Sequence, residues 1–177
     1  MTDKEADLIL ESFRIIADTR EQSTPKARRR YKTIGTPIER ATLSYGDYCG
    51  NIDIRGKPLL DVSARISPAC VVERKMGLDE LAMCFTRSRD RFQKEFERAK
   101  SAGSKVYLLV ENATYEDIIT HRYRSKFASN AFLGSLLSWS VRYNLTPVFC
   151  SSATSGDLIR EILMRDMRER LVRDEYG

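Results

Sequence analysis

Histidine is almost missing from this 177-residue chain, in which His121 stands alone. Catalytic triads built on an imidazole, and zinc sites built on paired histidines, have little to draw on. Cysteine is scarce as well. Cys49, Cys70, Cys84 and Cys150 are widely and unevenly spaced, with no C-x-x-C pair. That argues against a zinc site or a disulfide framework and for a reducing compartment. No apolar run approaches the roughly 20 residues that span a bilayer. The opening MTDKEADLIL is acidic and too short in apolar length for a signal peptide. Internal repeats and long linkers are also lacking. The expected location is therefore cytoplasmic or nucleoid-associated, or nuclear if the source is eukaryotic, with no membrane partner.

What is present is an ordinary globular composition, 42% apolar and 31% charged. It suits a single domain over 1–177 with a sizeable core. Thirty Lys and Arg against 25 Asp and Glu leave a net charge of +5, and the excess is clustered. Residues 22–40 carry Lys26, Arg28, Arg29, Arg30, Lys32 and Arg40 against Glu39 alone. Residues 120–142 carry Arg122, Arg124, Lys126 and Arg142 with no acidic residue. Clusters of this kind suit a polyanion such as nucleic acid; a solvated surface accounts for them equally well on charge alone.

The hydrophobic pattern starts with strands. Phe13–Ala17 reads as a buried strand, 22–36 as a mobile basic loop punctuated by Pro25 and Gly35, and Ile38–Tyr45 as a second strand closed by a Gly46-Asp47 turn. Asn51–Arg55 and Asp61–Ile66 alternate like half-exposed strands joined through Gly56-Lys57-Pro58. Ala69–Lys75 is a further strand. Then the period changes. Leu78, Leu81, Ala82, Phe85, Phe92, Phe96 and Ala99 share one helical face, with Asp79 at the start and Gly103 as the stop. Lys105–Val110 and Thr146–Cys150 read as strands. Thr114–Ile119, Ser129–Tyr143 and Asp157–Arg173 read as helices, with Asn144 as a left-handed cap. Strands followed by alternating helix and strand predict an α/β or mixed α+β sheet flanked by helices.

The chemistry-bearing residues are Asp47, Glu73 and Lys75. Side chains alternate along a strand, so Glu73 and Lys75 point one way and Arg74 the other. A turn carboxylate and a strand carboxylate offer the hard oxygens that Mg²⁺ prefers. Lys75 is placed to orient a water, or to act as its base if its pKa is lowered. A Glu-x-Lys pair alone is more often a solvated strand face.

The surrounding text is more specific. IIADTREQ at 15–22, LSYGDY at 43–48, VVERKMGLDEL at 71–81 and RFQKE at 91–95 stand in this order. Together they resemble the nuclease domain of the xeroderma pigmentosum group F (XPF) family of structure-specific endonucleases. Gly46-Asp47, followed by Glu73-Arg74-Lys75 with Asp79, matches the family signature in full. Asp18, Arg20 and Glu21 match the end of its first strand, and Arg91 with Phe92 match loosely a stretch in the following helix. The resemblance covers roughly residues 12–165 of the chain.

The resemblance implies a restriction-endonuclease-like core with a Mg²⁺ or Mn²⁺ site at one edge of the sheet. Asp47 and Glu73 would ligate the metal with the Arg74 carbonyl, and Asp18 would line the same site. Lys75 would assist the water. Arg20 would hold phosphate, with Arg28, Arg29, Arg30, Arg91, Arg122, Arg124 and Lys126 as further DNA contacts. The Arg74 side chain would pair with Asp79 and brace the motif, although Asp79 reads more simply as a helix-start acid. DNA cut at junctions of duplex and single strand is the implied substrate, and a homodimer or partner subunit the implied assembly, with its contacts within 129–173. The chain leaves no room for the helix-hairpin-helix module that many relatives carry, and Gly50–Pro68 forms an extra β-excursion. Two other readings stay open: a non-catalytic DNA-binding scaffold, and a general or sequence-specific duplex nuclease.

Overall fold

The computed structural model describes residues 1–22 and 24–175. Its frame is a sheet of six strands in the order β2-β1-β3-β6-β7-β8. These are β1 (Arg14–Asp18), β2 (Ile38–Ala41), β3 (Tyr48–Asn51), β6 (Cys70–Lys75), β7 (Lys105–Glu111) and β8 (Leu145–Cys150). β1 runs parallel to β2 and antiparallel to β3, and β3 is antiparallel to β6. β6, β7 and β8 are mutually parallel. The sheet is therefore mixed and flanked by helices, as the change of period predicts.

Alternation along the strands divides the apolar residues between two layers. Val71, Leu108 and Val110 pack with α3 (Leu78–Phe85), α4 (Arg89–Ser101) and α6 (Ser129–Arg142), where Phe85, Phe92, Phe96 and Trp139 form an aromatic cluster. Val72, Tyr48 and Leu109 pack on the other side with α1 (Asp3–Leu10), α2 (Pro25–Ile34) and α7 (Ser155–Val172). The row Ile159, Leu163, Met167 and Leu171 is fully spent on this second layer. Trp139 is core, and His121 is an exposed loop residue stacked on Tyr123.

Several local readings are corrected. The segment read as a mobile loop contains α2. Thr24 caps it by accepting from the Ala27 N–H, Pro25 occupies the first turn and Gly35 ends it at φ 65°. Pro and Gly here mark the two ends of a helix rather than a loop. The first helix, α1, is opened by a capping box between Thr2 and Glu5. The long helix expected from Leu78 onward is two helices broken at Thr86–Ser88. Ile38–Tyr45 is a strand only as far as Ala41; Leu43 makes an isolated bridge to Ile66, and the rest of Asp61–Ile66 pairs with nothing. The Gly50–Pro68 excursion carries a small hairpin, β4 (Asp53–Ile54) and β5 (Lys57–Pro58), turned through Arg55 at φ 52° and Gly56 at φ 76°. Two adjacent left-handed residues suit a two-residue hairpin turn. α5 (Tyr115–Ile119) is the short helix expected there.

The first and last helices meet. The N-terminal ammonium of Met1 lies 3.2 Å from Asp174 Oδ2, and Arg168 of α7 bonds Asp3 and Asp7 of α1. On the same side α2 lies hard against α7. A Cβ on Gly156 would stand 2.1 Å from Thr33 Oγ1 and 2.5 Å from the Arg30 carbonyl oxygen. Only glycine permits this approach, which fixes α2 beside the C-terminal ends of the parallel strands.

Candidate active site

β6 carries the site because its neighbours leave its C-terminal end open on one face. Val71 is buried beneath Gly46, so Glu73 and Lys75, in the same alternation, emerge toward α3 and α4. Asp47 arrives from the turn before β3. Its N–H donates to the Val72 carbonyl at 2.9 Å, its own carbonyl accepts from Asp18 N–H at 2.8 Å, and its Oδ2 accepts from Arg74 N–H at 2.8 Å. Gly46 makes this turn possible: φ is +73°, and a Cβ would sit 2.0 Å from Val71 Cγ2. Lys75 Nζ donates to Glu73 Oε1 and lies 4.9 Å from the centre of the Phe92 ring.

These groups open into a cavity of about 300 Å³. Its walls hold five carboxylates, on Glu21, Asp47, Glu73, Glu80 and Glu95, against three cations, on Arg20, Lys75 and Arg91. The crowding shows in the proton affinities. Burial, then the charge of Glu73, push the Asp47 carboxyl well above its ordinary range, against the pull of Lys75. Burial and Glu73 likewise raise Glu95, against the Gly46 N–H and Arg20. For Lys75, burial works against the charge, but Glu73 and Asp47 outweigh it and hold the ammonium well above its ordinary pKa. Its contact with Glu73 places the Lys75 ammonium at the cavity wall, where it can orient a water or a phosphate.

Asp47, Glu73 and Lys75 line one cavity. Other expected residues stand elsewhere. Asp18 is buried outside the cavity. Its Oδ1 accepts from Arg20 N–H and Nε, each at 2.7 Å, and its Oδ2 from Leu43 N–H at 2.8 Å and Arg20 Nη2 at 3.2 Å. Instead of lining the site, it anchors Arg20, whose half-exposed guanidinium does line it. Arg74 does not pair with Asp79. Its side chain leaves the opposite face of β6 and meets Glu111 at 3.1 Å. Asp79 instead accepts from Arg124 N–H, Arg124 Nε and Ser125 N–H, so it fastens the basic loop to α3.

Arg30 cannot be a phosphate contact in this fold. It is buried, donating to Glu21 Oε1 and the Tyr48 hydroxyl at 2.8 Å each and to Glu111 Oε1 at 3.2 Å. Arg28 and Arg29 remain exposed, as do Arg122, Arg124 and Lys126. In that last loop Tyr123 and Phe127 turn into the core while the cations between them turn out.

Two functional candidates escaped the sequence reading. Glu95 of α4 reaches the cavity and accepts from Gly46 N–H at 3.0 Å. It stands in the RFQKE stretch already singled out, one helical turn after Arg91 and Phe92. Glu21 connects the cavity to Arg30 and was carried only as part of a motif.

Among the described residues, no three Asp, Glu, Cys or His side chains converge closely enough to cage a metal by themselves. The donor set nonetheless fits a hard divalent cation. Two carboxylates crowd one anionic cavity, and Mg²⁺ commonly takes one or two carboxylates and keeps several waters.

The sequence profile of the ERCC4 domain matches residues 17–162. Among solved structures, XPF from Aeropyrum pernix is similar, with 18% identity and a TM-score of 0.60 over 92% of this chain and 69% of that one. The same protein in complex with DNA gives 18% identity and a TM-score of 0.59 over 89% and 66%. No curated protein matches this chain. At that identity the likeness is one of fold.

Proposed function

The chain belongs to the ERCC4 domain family, and from that membership we propose a divalent-metal-dependent endonuclease that hydrolyses DNA phosphodiester bonds at branched, flapped or junction substrates. The observation that carries this reading is the anionic cavity in which Asp47, Glu73 and Lys75 meet. With Glu21 already balanced by Arg30 and Arg74, the remaining Asp47, Glu73, Glu80 and Glu95 still outnumber Arg20, Lys75 and Arg91, so the cavity offers a phosphodiester little attraction of its own. A bound Mg²⁺ or Mn²⁺ would supply that attraction, neutralising phosphate charge and acidifying a water. Asp47, Glu73 and the Arg74 carbonyl are the groups that would hold it.

The chain's own cations supply the rest. Lys75, held by Glu73 over Phe92, orients the attacking water or a phosphate oxygen. Arg20, kept in place by the buried Asp18, and Arg91 at the rim of α4 receive the phosphate. Arg122, Arg124 and Lys126 extend the positive surface beyond the cavity along the loop that Asp79 fastens. The similar XPF from Aeropyrum pernix is described in complex with DNA, which supports DNA as the polymer.

A homodimer or partner subunit is part of the same reading. Within 129–173 the α7 row is spent on the core, which leaves α6, where Leu137 is 53% and Val141 89% exposed beside the edge strand β8. Sedimentation at micromolar concentration should give the dimer mass, and Val141→Asp should give the monomer.

The test of function is cleavage with Mg²⁺ or Mn²⁺ of labelled duplex, 3′ flap, fork and four-way junction of shared sequence. Cutting of branched DNA alone, abolished in Asp47→Ala and Lys75→Ala, is the expected result. Cutting of every duplex would keep the chemistry and remove the structure selectivity. Cleavage that survives both substitutions would sink the site.

A further inference from the structure

On the face of β6 opposite the acidic cavity lies a second cavity of about 450 Å³, between α2 and the loop after β8. Its floor is charged but internally balanced. Arg30 and Glu111 line it, and with Arg74 and Glu21 they form a buried quartet of two guanidiniums and two carboxylates. The charge it presents therefore comes from the rim.

The rim is Lys26, Arg29 and Lys32 of α2, all exposed, and among the described residues none of the three has an ion-pair partner. α2 contains no acidic residue from Pro25 to Ile34, and the opposite wall, Ser152 and Ala153, is uncharged. Among the described residues no aromatic side chain lines the cavity, and so none there offers a platform on which bases stack. Three free cations over a neutral, polar floor suit a sugar–phosphate backbone and not its bases.

The cavity is joined to the catalytic side through one residue. Glu21 lines the acidic cavity and accepts from Arg30, which floors the basic one. We propose that Lys26, Arg29 and Lys32 form a second, sequence-independent DNA backbone site, which holds the substrate on the α2 side while the scissile phosphate occupies the acidic cavity. This rests on the reading of the chain as a DNA endonuclease. It makes α2, rather than the Arg28–Arg30 run as such, the gripping element: Lys26 and Lys32 join Arg29, and Arg30 becomes floor.

The experiment measures affinity for a labelled fork by anisotropy in EDTA, across a salt series, for the intact chain. The triple variant Lys26→Gln, Arg29→Gln, Lys32→Gln is compared with a control of equal charge change on α1 and toward the end of α7, Lys4→Gln, Arg165→Gln, Arg173→Gln. Loss of three phosphate contacts should flatten the slope of log K against log salt by about 2 to 3 and cost about tenfold or more in affinity at moderate salt. The control should retain the wild-type slope. Thermal unfolding confirms that both variants are folded. An unchanged slope in the α2 variant, or an equal loss in the control, overturns the proposal. Cleavage by the wild-type protein is scored separately. Cutting with an unchanged α2 slope refutes this site alone. An inert wild type whose binding still depends on α2 refutes the endonuclease and leaves the site standing.

Discussion

Gly46 shows how little freedom a single position has. Its positive φ and the 2.0 Å approach to Val71 Cγ2 leave no space for a methyl group. Gly46→Ala should destabilise the fold by about 1–3 kcal/mol, the typical range for overpacking a core, and displace Asp47, which follows it. Denaturant unfolding and the cleavage assay would report both losses. Asp18 makes a different point. Burial pushes its carboxyl up, but bonds from the Arg20 side chain and from the Arg20 and Leu43 N–H groups prevail and hold it below its ordinary value. A carboxyl lowered in the folded state stabilises the fold above its unfolded-state pKa, and that stability fades as pH falls through the folded value. Unfolding midpoints measured downward from pH 5 should therefore drop, beginning near the ordinary aspartate pKa and continuing below it. Asp18→Asn should flatten that drop while lowering stability at neutral pH by about 1.5–3 kcal/mol, the scale of a hydrogen bond to a charged group. A pH profile identical to wild type would contradict this account of Asp18.

At the scale of elements, α2 is held by Arg30. Removing that guanidinium leaves Glu21 and Glu111 buried with one partner fewer. Arg30→Ala should cost about 3–5 kcal/mol, as expected when one member of a buried ionic group is deleted, whereas Lys26→Ala on the exposed rim should change stability by less than about 0.5 kcal/mol. Comparative urea melts decide it; equal effects would mean that the quartet contributes nothing special. α2 was also where sequence reading failed most visibly. The punctuation of Pro25 and Gly35 was legible, but a five-cation stretch gives no apolar stripe long enough to announce a helix, and the packing of Gly156 on Thr33 is a contact far away in sequence. The break between α3 and α4 was hidden for the opposite reason. Phe85 and Phe92 are seven residues apart, so the helical period runs across the interruption undisturbed.

At the scale of the whole molecule, the mixed sheet and its helical flanks followed from periodicity, and belonging to the family followed from motifs. The centre of the site was legible because Glu73 and Lys75 are neighbours on one strand and Gly46-Asp47 is a local turn. Its periphery was not. Glu95 reaches Gly46 from 49 residues away, and the burial of Arg30 depends on Glu111 of a distant strand. Spacing along a chain cannot report such partners. The division of charge between the two faces of β6 is likewise visible only in three dimensions: an acidic cavity on one side and a basic rim on the other. It predicts that divalent metal will strengthen binding of uncleaved DNA through the first face alone. Ca²⁺ should raise the affinity of the wild-type chain for a fork and leave that of Asp47→Asn unchanged, by the same anisotropy measurement.

The meeting of Met1 with Asp174 makes the polypeptide nearly a closed ring. A short flexible linker can join the two segments that meet there, and the exposed Arg55-Gly56 turn, outside the lining of both cavities, offers a place to open the chain. Such a circular permutant should fold and keep the order of the sheet. It would also allow a fused DNA-targeting domain to be carried on the hairpin side.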